Sequence, residues 1–196
     1  LALSDTLTYD TTLDDVTGNT ATLGWGPVSA SLVATQGYYY YPVIGTGWVA
    51  DSSEKSLVFS SFKAAFTKTW KSAASAPFTA SLSVDTSYTQ SLLQFSNSIL
   101  YFSLGLTLKV TDLIDVSFKS VSQNSSAWRY CPWLFPAVEL TGNEAGYYYR
   151  NPLVDILDGF AFWDTSARTS SLFKLKSLSV SVAHDLHDWN LSFSLT

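Results

Sequence analysis

Strict alternation of apolar and small polar residues is the feature that most constrains the fold of this chain. In NSILYFSLGLTLKV, residues 97–110, the even positions from 100 onward carry large apolar side chains, and most odd positions carry Asn, Ser, Gly, Thr or Lys. Side chains of a β-strand point to opposite faces with a period of two residues, whereas an α-helix would scatter these apolar residues around its circumference. The pattern therefore predicts a long strand with one apolar face and one polar face.

The same alternation recurs along the chain and predicts about eight strands. We place them at residues 2–12, 19–35, 56–72, 77–91, 97–110, 113–123, 170–184 and 189–196. The parity of the apolar residues changes across Gly26-Pro27 and again across Lys176-Ser177. Because a β-bulge shifts the side-chain alternation by one residue, we predict a bulge at each of these two places.

The lengths of the strands and of their connections favour a membrane barrel. Several predicted strands exceed 13 residues, whereas strands of globular proteins are usually about 5–6 residues long and a strand that crosses a bilayer needs roughly 9–11. Short turns are predicted at 13–19, 72–77, 111–115 and 184–188, and the links between them at 36–55, 92–96 and 124–169. The two kinds of connection alternate, as they do in outer-membrane barrels with short periplasmic turns and longer external loops.

We therefore predict an all-β fold: an antiparallel transmembrane β-barrel segment of about eight long meander strands. Residues 1–196 would form a single segment of a larger barrel, with odd-numbered strands running toward the periplasm and residues 124–169 forming a long external loop. Asn151 followed by Pro152, with apolar residues at helical spacing after them, predicts one short helix inside that loop.

The two faces of the predicted strands have different environments. Ser and Thr dominate the polar parity and would line a lumen, whereas the apolar parity would face lipid, where a charge costs about 2–4 kcal/mol at mid-bilayer. The predicted lipid-facing residues are Leu100, Phe102, Leu104, Leu106, Leu108, Phe78, Leu82, Val84, Leu178, Val180, Val182, Leu191 and Phe193. Tyr and Trp residues in the links fit equally well an aromatic girdle at the headgroups or packing within the loops.

Composition excludes several classes of protein. Charged residues make up 14% of the chain, against about 25% in a typical soluble domain. The net charge of −5 argues against a nucleic-acid partner, because phosphate contacts need clustered Lys and Arg.

No apolar run is long enough for a transmembrane helix, and the start LALSD lacks the features of a signal peptide, so we expect a piece of a longer, processed protein. Cys131 stands alone and has no internal disulfide partner.

HDLHDW, residues 184–189, is the densest polar cluster and contains both histidines of the chain. His and Asp are good metal ligands, but the spacing is poor for a metal site and the chain holds no third His. The apolar parity is even before this cluster and odd after it, which favours a tight turn whose carboxylates bond local backbone N–H groups. The predicted structural turn consists of His184, Asp185, His187, Asp188 and Trp189.

Catalysis finds little support in the sequence. A hydrolase needs a nucleophile, a base and an orienting group at one place. Ser is abundant, but both histidines lie in the predicted turn, and the Ser residues alternate along strands as a polar lining would. We therefore expect no enzymatic activity, no metal and no cofactor.

The C-terminal residues resemble a known family. SLFKLKSLSVSVAHDLHDWNLSFSLT, residues 171–196, is similar to the late barrel strands of the LptD family of lipopolysaccharide-assembly outer-membrane proteins, also called organic solvent tolerance proteins. The resemblance is greatest to the spirochaete-type branch, in which a strand rich in Lys and Ser leads into a turn like HLHDW. NPLVDILDGFAFWDTSARTSSLFKLKS, residues 151–177, is similar to the same branch, whereas the first 120 residues share only general barrel character.

This resemblance implies an internal segment of a very large barrel that passes lipopolysaccharide-like glycolipid to the outer leaflet. It implies the outer membrane of a diderm bacterium as the location, outer-membrane lipids as surroundings, and a lipoprotein plug and periplasmic bridge proteins as partners. Many family members carry cysteines near the turn, where this chain has His187 and Asp188. Two alternatives stay open: a small eight-stranded pore or anchor barrel, and a soluble β-sandwich that binds carbohydrate through exposed Tyr and Trp.

Overall fold

The fold is a meander of long antiparallel strands. The computed structural model describes residues 1–51, 54–73, 78–110, 114–134, 151–161, 163–184 and 189–195. Within these ranges the strands are β1 (Ala2–Asp10), β2 (Asp15–Trp25), β3 (Val28–Gly37), β4 (Tyr40–Val43), β5 (Gly47–Ala50), β6 (Ser56–Lys71), β7 (Phe78–Ser91), β8 (Ser98–Val110), β9 (Ile114–Asn124), β10 (Lys174–His184) and β11 (Trp189–Leu195). The helices are α1 (Pro152–Gly159) and α2 (Thr165–Ser170), and 3₁₀ turns span Ala127–Tyr130 and Pro132–Leu134.

Nine of the described strands form one sheet whose order follows the chain, β1-β2-β3-β6-β7-β8-β9-β10-β11, and β4 pairs with β5 in a separate hairpin. The predicted all-β, antiparallel meander of long strands is confirmed. The sheet is not closed into a barrel, and β1 and β11 are its two edges in the described part of the chain. No helix among the described residues has the length and apolar character needed to cross a membrane.

The predicted strand at residues 19–35 is wrong, because the chain reverses within it. Trp25 pairs with Val28, and Gly26 and Pro27 form the turn between β2 and β3. Gly26 has φ +57°, and a glycine with positive φ at the first turn position is typical of a two-residue type II′ hairpin. The parity change therefore marks a reversal of the chain rather than a bulge.

This extra hairpin changes the assignment of the first connection. Since neighbouring strands are antiparallel, the turn at 11–14 lies at the same end of the strands as the links 38–55, 92–97 and 125–173. The predicted direction of the first strand is therefore wrong. By the bounds of the described strands, the connections at the opposite end are 26–27, 72–77, 111–113 and 185–188. The predicted strict alternation of short and long connections therefore fails at the first turn, because the four-residue connection 11–14 lies at the end that carries the links 38–55 and 125–173.

The second predicted bulge is confirmed. The pairing of β10 with β9 shifts register between Leu175 and Ser177. The strand begins at Lys174 rather than at residue 170, because α2 occupies the preceding residues and Asp164 caps it by accepting the Ala167 N–H at 3.0 Å. Asn151 caps α1 as predicted, since its side chain accepts the Leu153 N–H at 2.9 Å.

The chain divides into two compact units, each with its own core. The first unit comprises Leu1–Ala65, Ser87–Leu100 and Ser125–Val154, and the second comprises Phe66–Thr86, Tyr101–Asn124 and Asp155–Thr196. Buried residues of the first unit are Ala34, Val58, Gln90, Ser98, Ala127, Trp128 and Tyr130. Buried residues of the second unit are Ser120, Ser122, Asn124, Asp155, Ala161, Ser171 and Phe173. Both cores therefore mix apolar groups with polar side chains, and the core of the second unit includes the acidic residue Asp155.

Candidate functional site

In the first unit, residues Ala127–Leu134, here called the cover segment, fold back onto the sheet. Ala127, Trp128 and Tyr130 are buried, and the Trp128 N–H donates to Ser98 Oγ at 2.8 Å. Ser98 has the same parity on β8 as Leu100, so the cover segment is tied to the face that carries the apolar row. We call this face of the sheet the apolar face and the opposite one the polar face.

A cavity of about 400 Å³ lies beneath the cover segment. Its lining residues are Phe62, Tyr88, Gln90, Leu92, Leu100, Ala127, Tyr130, Cys131 and Leu134. The lining contains no Asp, Glu, Lys, Arg or His, and most of it is aliphatic or aromatic. Concave, mostly apolar sites of roughly 300–1,000 Å³ are typical of ligand-binding pockets, so this cavity is the strongest candidate site in the described part of the chain.

The polar groups of the cavity wall are bonded within the protein. The Tyr88 hydroxyl donates to Gln90 Oε1 at 2.6 Å, and Gln90 Nε2 donates to the carbonyl oxygens of Ser91 at 2.8 Å and Phe95 at 2.9 Å. Burial, together with the smaller electrostatic effect of the neighbouring Cys131, raises the pKa of Tyr88 to about 12. The phenol therefore stays protonated at neutral pH and keeps its bond to Gln90.

The link 92–97 closes one side of this region and is held from two directions. Besides the bond from Gln90 to Phe95, the Trp48 ring stands edge-on to the Phe95 ring at 5.8 Å between centroids. Trp48 Nε1 also donates to Ser96 Oγ at 3.0 Å. Because both contacts fix the link that carries Leu92, this wall of the cavity is preformed.

The second unit holds a different polar cluster, where α1 docks on the residues before β10. Asp155 is 1% exposed, and its carboxylate accepts the Leu172 N–H at 3.0 Å. Ser171 Oγ donates to the Asp155 carbonyl oxygen at 2.8 Å. A Cβ added to Gly159 would lie 3.2 Å from the Phe173 carbonyl oxygen, so helix and chain are in close contact. This cluster has the features of a structural joint rather than of a reaction site.

The predicted turn residues are placed only in part. β10 ends at His184 and β11 begins at Trp189, and these two residues pair with each other across the hairpin. Asp185, His187 and Asp188 lie outside the described residues, and the proposed bonding of their carboxylates stays a prediction. The described ranges contain no group of three or more His, Cys, Asp or Glu that could hold a metal ion.

The residues of β7, β8 and β10 that are predicted to face lipid share one parity on each strand, but their surroundings differ. Leu100 lines the cavity of the first unit. In the second unit Phe78, Leu82 and Leu106 are 45%, 39% and 46% exposed. Half-buried there are Val84, Phe102, Leu104, Leu108, Leu178, Val180 and Val182. Leu191 and Phe193 of β11 pair with Val182 and Val180, respectively.

Sequence patterns missed the cavity because the cover segment has neither the strand nor the helix period. One sequence feature does indicate the position of the cover segment. Gln90 and Ser98 occupy the apolar parity of β7 and β8, at the strand ends that flank the link 92–97. A polar residue in an apolar row needs a hydrogen-bond partner when it is buried, and it therefore predicts a segment of chain packed over that end.

Comparison of the chain with protein-family models, with curated proteins and with solved structures finds no match. The family resemblance therefore rests on the C-terminal residues quoted above.

Proposed function

We propose that this chain forms part of the wall of a β-barrel in the outer membrane of a diderm bacterium, with the apolar face toward lipid and the polar face toward the lumen. The observation that carries the proposal is the exposed apolar row of the second unit, in which Phe78, Leu82 and Leu106 keep 39–46% of their surface accessible. Soluble monomers rarely expose a contiguous apolar patch larger than a few hundred Å².

The length of this row matches a bilayer. On β7 and β8 the stretches 78–86 and 102–110 contain nine residues each, and Tyr88 and Leu100 beyond them line the cavity beneath the cover segment. A tilted strand needs roughly 9–11 residues to cross the hydrocarbon core. We assign these two stretches to the membrane. The row is shorter on β9, where Ile114, Val116 and Phe118 are followed by the buried Ser120.

The side chains of the polar face support the proposal that this face lines a water-filled or substrate-filled lumen. Thr67 donates to Asp85 at 3.0 Å, and Ser83 Oγ donates to the Gly105 carbonyl oxygen at 3.3 Å. A Cβ at Gly105 would clash with Ser83 Oγ, so the absence of a side chain there allows the two strands to lie in close contact. Hydroxyl, carboxylate and backbone groups at this density suit a polar interior.

The edges of the sheet suggest a larger barrel. Unpaired strand edges are not tolerated in lipid, so the proposal requires further strands beside β1 and β11. An even strand number is the rule for bacterial barrels, and nine described strands in an open sheet fit a small closed eight-stranded pore less well. A soluble carbohydrate-binding sandwich would turn its apolar face inward, whereas Leu106 is exposed.

The specific activity proposed is export of lipopolysaccharide-like glycolipid to the outer leaflet, and it is supported by the resemblance of residues 151–196 to the LptD family. On this proposal a lipoprotein plug and periplasmic bridge proteins are the partners. The chain itself catalyses no reaction. Its physical contribution is a wall that separates a polar path from the surrounding lipid.

Two experiments test the proposed glycolipid export and the proposed barrel wall separately. In the first, cells depleted of the intact parent protein should lose surface glycolipid and accumulate it inside. Unchanged surface glycolipid together with altered solute uptake would refute export and leave a pore.

The second experiment tests the wall itself with adjacent residues on opposite faces of β8. In a Cys131→Ser background, a water-soluble maleimide applied to outer-membrane vesicles should modify Thr107→Cys and spare Leu106→Cys. Equal modification of the two positions would contradict a lipid-facing row, whatever the transported molecule is.

A further inference from the structure

We propose that the cavity beneath the cover segment binds a single alkyl chain of a membrane lipid. The identity of that lipid rests on the proposed function, under which the chain belongs to the exported glycolipid. The cavity volume of about 400 Å³ suits one narrow chain rather than a complete lipid of several chains and a headgroup.

The lining determines the chemical class of the ligand. Phe62, Leu92 and Leu100 present ring and methyl groups, and the Tyr88 hydroxyl and Gln90 amide are bonded to each other. A charged or strongly polar ligand would lose its hydration on entering the cavity. Because the lining holds no cation or anion to compensate for that loss, its binding would be unfavourable. A hydrocarbon chain gains from every methylene that it removes from water. The lining therefore selects for alkyl groups.

The position of the cavity gives such a chain a route from the membrane. Leu100, which lines the cavity, has the same parity on β8 as Phe102 and Leu104, to which we assign lipid contact. Leu134 lines the cavity and is 61% exposed, so this part of the wall is accessible from outside. An alkyl chain can therefore pass along apolar groups instead of crossing water.

The cavity is also preformed. The bond from Trp128 to Ser98 fixes the cover segment, and the bonds from Gln90 to Ser91 and Phe95 fix the adjacent link. A ligand that enters a preformed site does not have to order the chain around it. This favours a bound chain over transient coating of the surface by lipid.

The test uses the full parent protein in its native outer-membrane vesicles and a photoactivatable palmitic acid as the probe. After illumination, mass spectrometry locates the adducts. We expect adducts on residues 127–134 or on the facing side chains Phe62, Tyr88 and Leu100. Adducts confined to 78–86 and 102–110 would overturn the proposal, because they would report only lipid contact along the wall.

Matched variants sharpen this result. Leu100→Trp fills the cavity and should reduce adducts on 127–134 at least tenfold, whereas Leu106→Trp, on the same strand and face, should leave them unchanged. Leu100→Ala enlarges the cavity and should keep adducts at the wild-type level or above. Equal adduct yields for the two Trp variants would refute the site.

A second readout needs no variant, so it covers a failure of Leu100→Trp to assemble. Modification of Cys131 in the wild-type protein by a water-soluble maleimide should slow severalfold when unlabelled palmitic acid saturates the vesicles. An unchanged rate would count against the cavity. Depletion that leaves surface glycolipid unchanged would defeat the export proposal alone, and adducts on 127–134 would then still identify a lipid-chain site.

Discussion

Replacing Ser98 with Ala should speed the modification of Cys131 by a water-soluble maleimide about 5- to 150-fold. Ser98 Oγ accepts the Trp128 N–H at 2.8 Å, and both side chains are at most 2% exposed. Removing one partner of a buried hydrogen bond costs about 1–3 kcal/mol. Cys131 is half-buried and lies three residues after Trp128, so its thiol reports on opening of the cover segment.

The expected increase in the modification rate follows if the Cys131 thiol reacts only when the cover segment opens locally. The rate then scales with the population of the open form, which rises with the free energy lost on removing the hydrogen bond. The measurement is a time course of maleimide incorporation at fixed pH, with the parent protein in vesicles and the peptide containing Cys131 quantified by mass spectrometry. This chain needs no engineered probe, since Cys131 is its only cysteine. Ser103→Ala, on the polar face of the same strand, is the matched control and should leave the rate unchanged.

A Ser98→Ala rate within twofold of wild type would refute this account of how the segment is held. The same conclusion would follow if Ser98→Ala and Ser103→Ala raised the rate equally, because a general loss of stability of β8 would then be the cause. Restoration of the slow rate in Ser98→Thr, which keeps the hydroxyl, would assign the effect to the hydrogen bond.

Three further substitutions test the packing, each through the free energy of unfolding of the parent protein in urea. Trp128→Ala should cost about 3–5 kcal/mol, because it removes a fully buried aromatic side chain, and a loss below 1 kcal/mol would contradict that packing. Gly26→Ala should cost about 1–2 kcal/mol from positive φ alone, since its Cβ would meet nothing within 4 Å. Gly24→Ala is its control and should be nearly neutral, because its nearest contact would be 3.8 Å away. Asp155→Ala should cost about 1–3 kcal/mol through loss of the bond from Leu172, and hydrogen exchange should quicken at that amide.

Much of the fold follows from alternation alone, because a sheet with two different faces needs a two-residue period. That principle places β6, β7, β8 and β9 within about two residues of their predicted bounds. The prediction from alternation fails at Gly26-Pro27, because a β-bulge and a tight reversal of the chain both shift the parity of the apolar residues. The bulge at Lys176-Ser177 produced the same signal, and the two cases differ only in the folded chain, where Trp25 pairs with Val28 across a turn with positive φ at Gly26.

Other elements carry no periodic signal. The β4–β5 hairpin has four-residue strands, and its turn needs Gly45 and Gly47 at positive φ. α2 has six residues, so its start depends on the Asp164 cap rather than on an apolar stripe. The cover segment owes its position to single buried contacts with Ser98 and the cavity wall, and such long-range contacts leave no local pattern.

In each unit, a polar residue interrupts the apolar row of a strand at the point where other residues of the same chain begin to cover that face. In the first unit the row on β8 runs from Leu100 to Ser98, and Ser98 is bonded to Trp128. In the second unit the row on β9 changes from Phe118 to Ser120 and is buried beyond that point. A lipid-facing row has no reason to become polar until it leaves the hydrocarbon, because lipid offers no partner for a hydroxyl. Within each unit, this change therefore marks one end of the proposed lipid-facing row, and labelling across it should switch from lipid contact to protection by the protein itself.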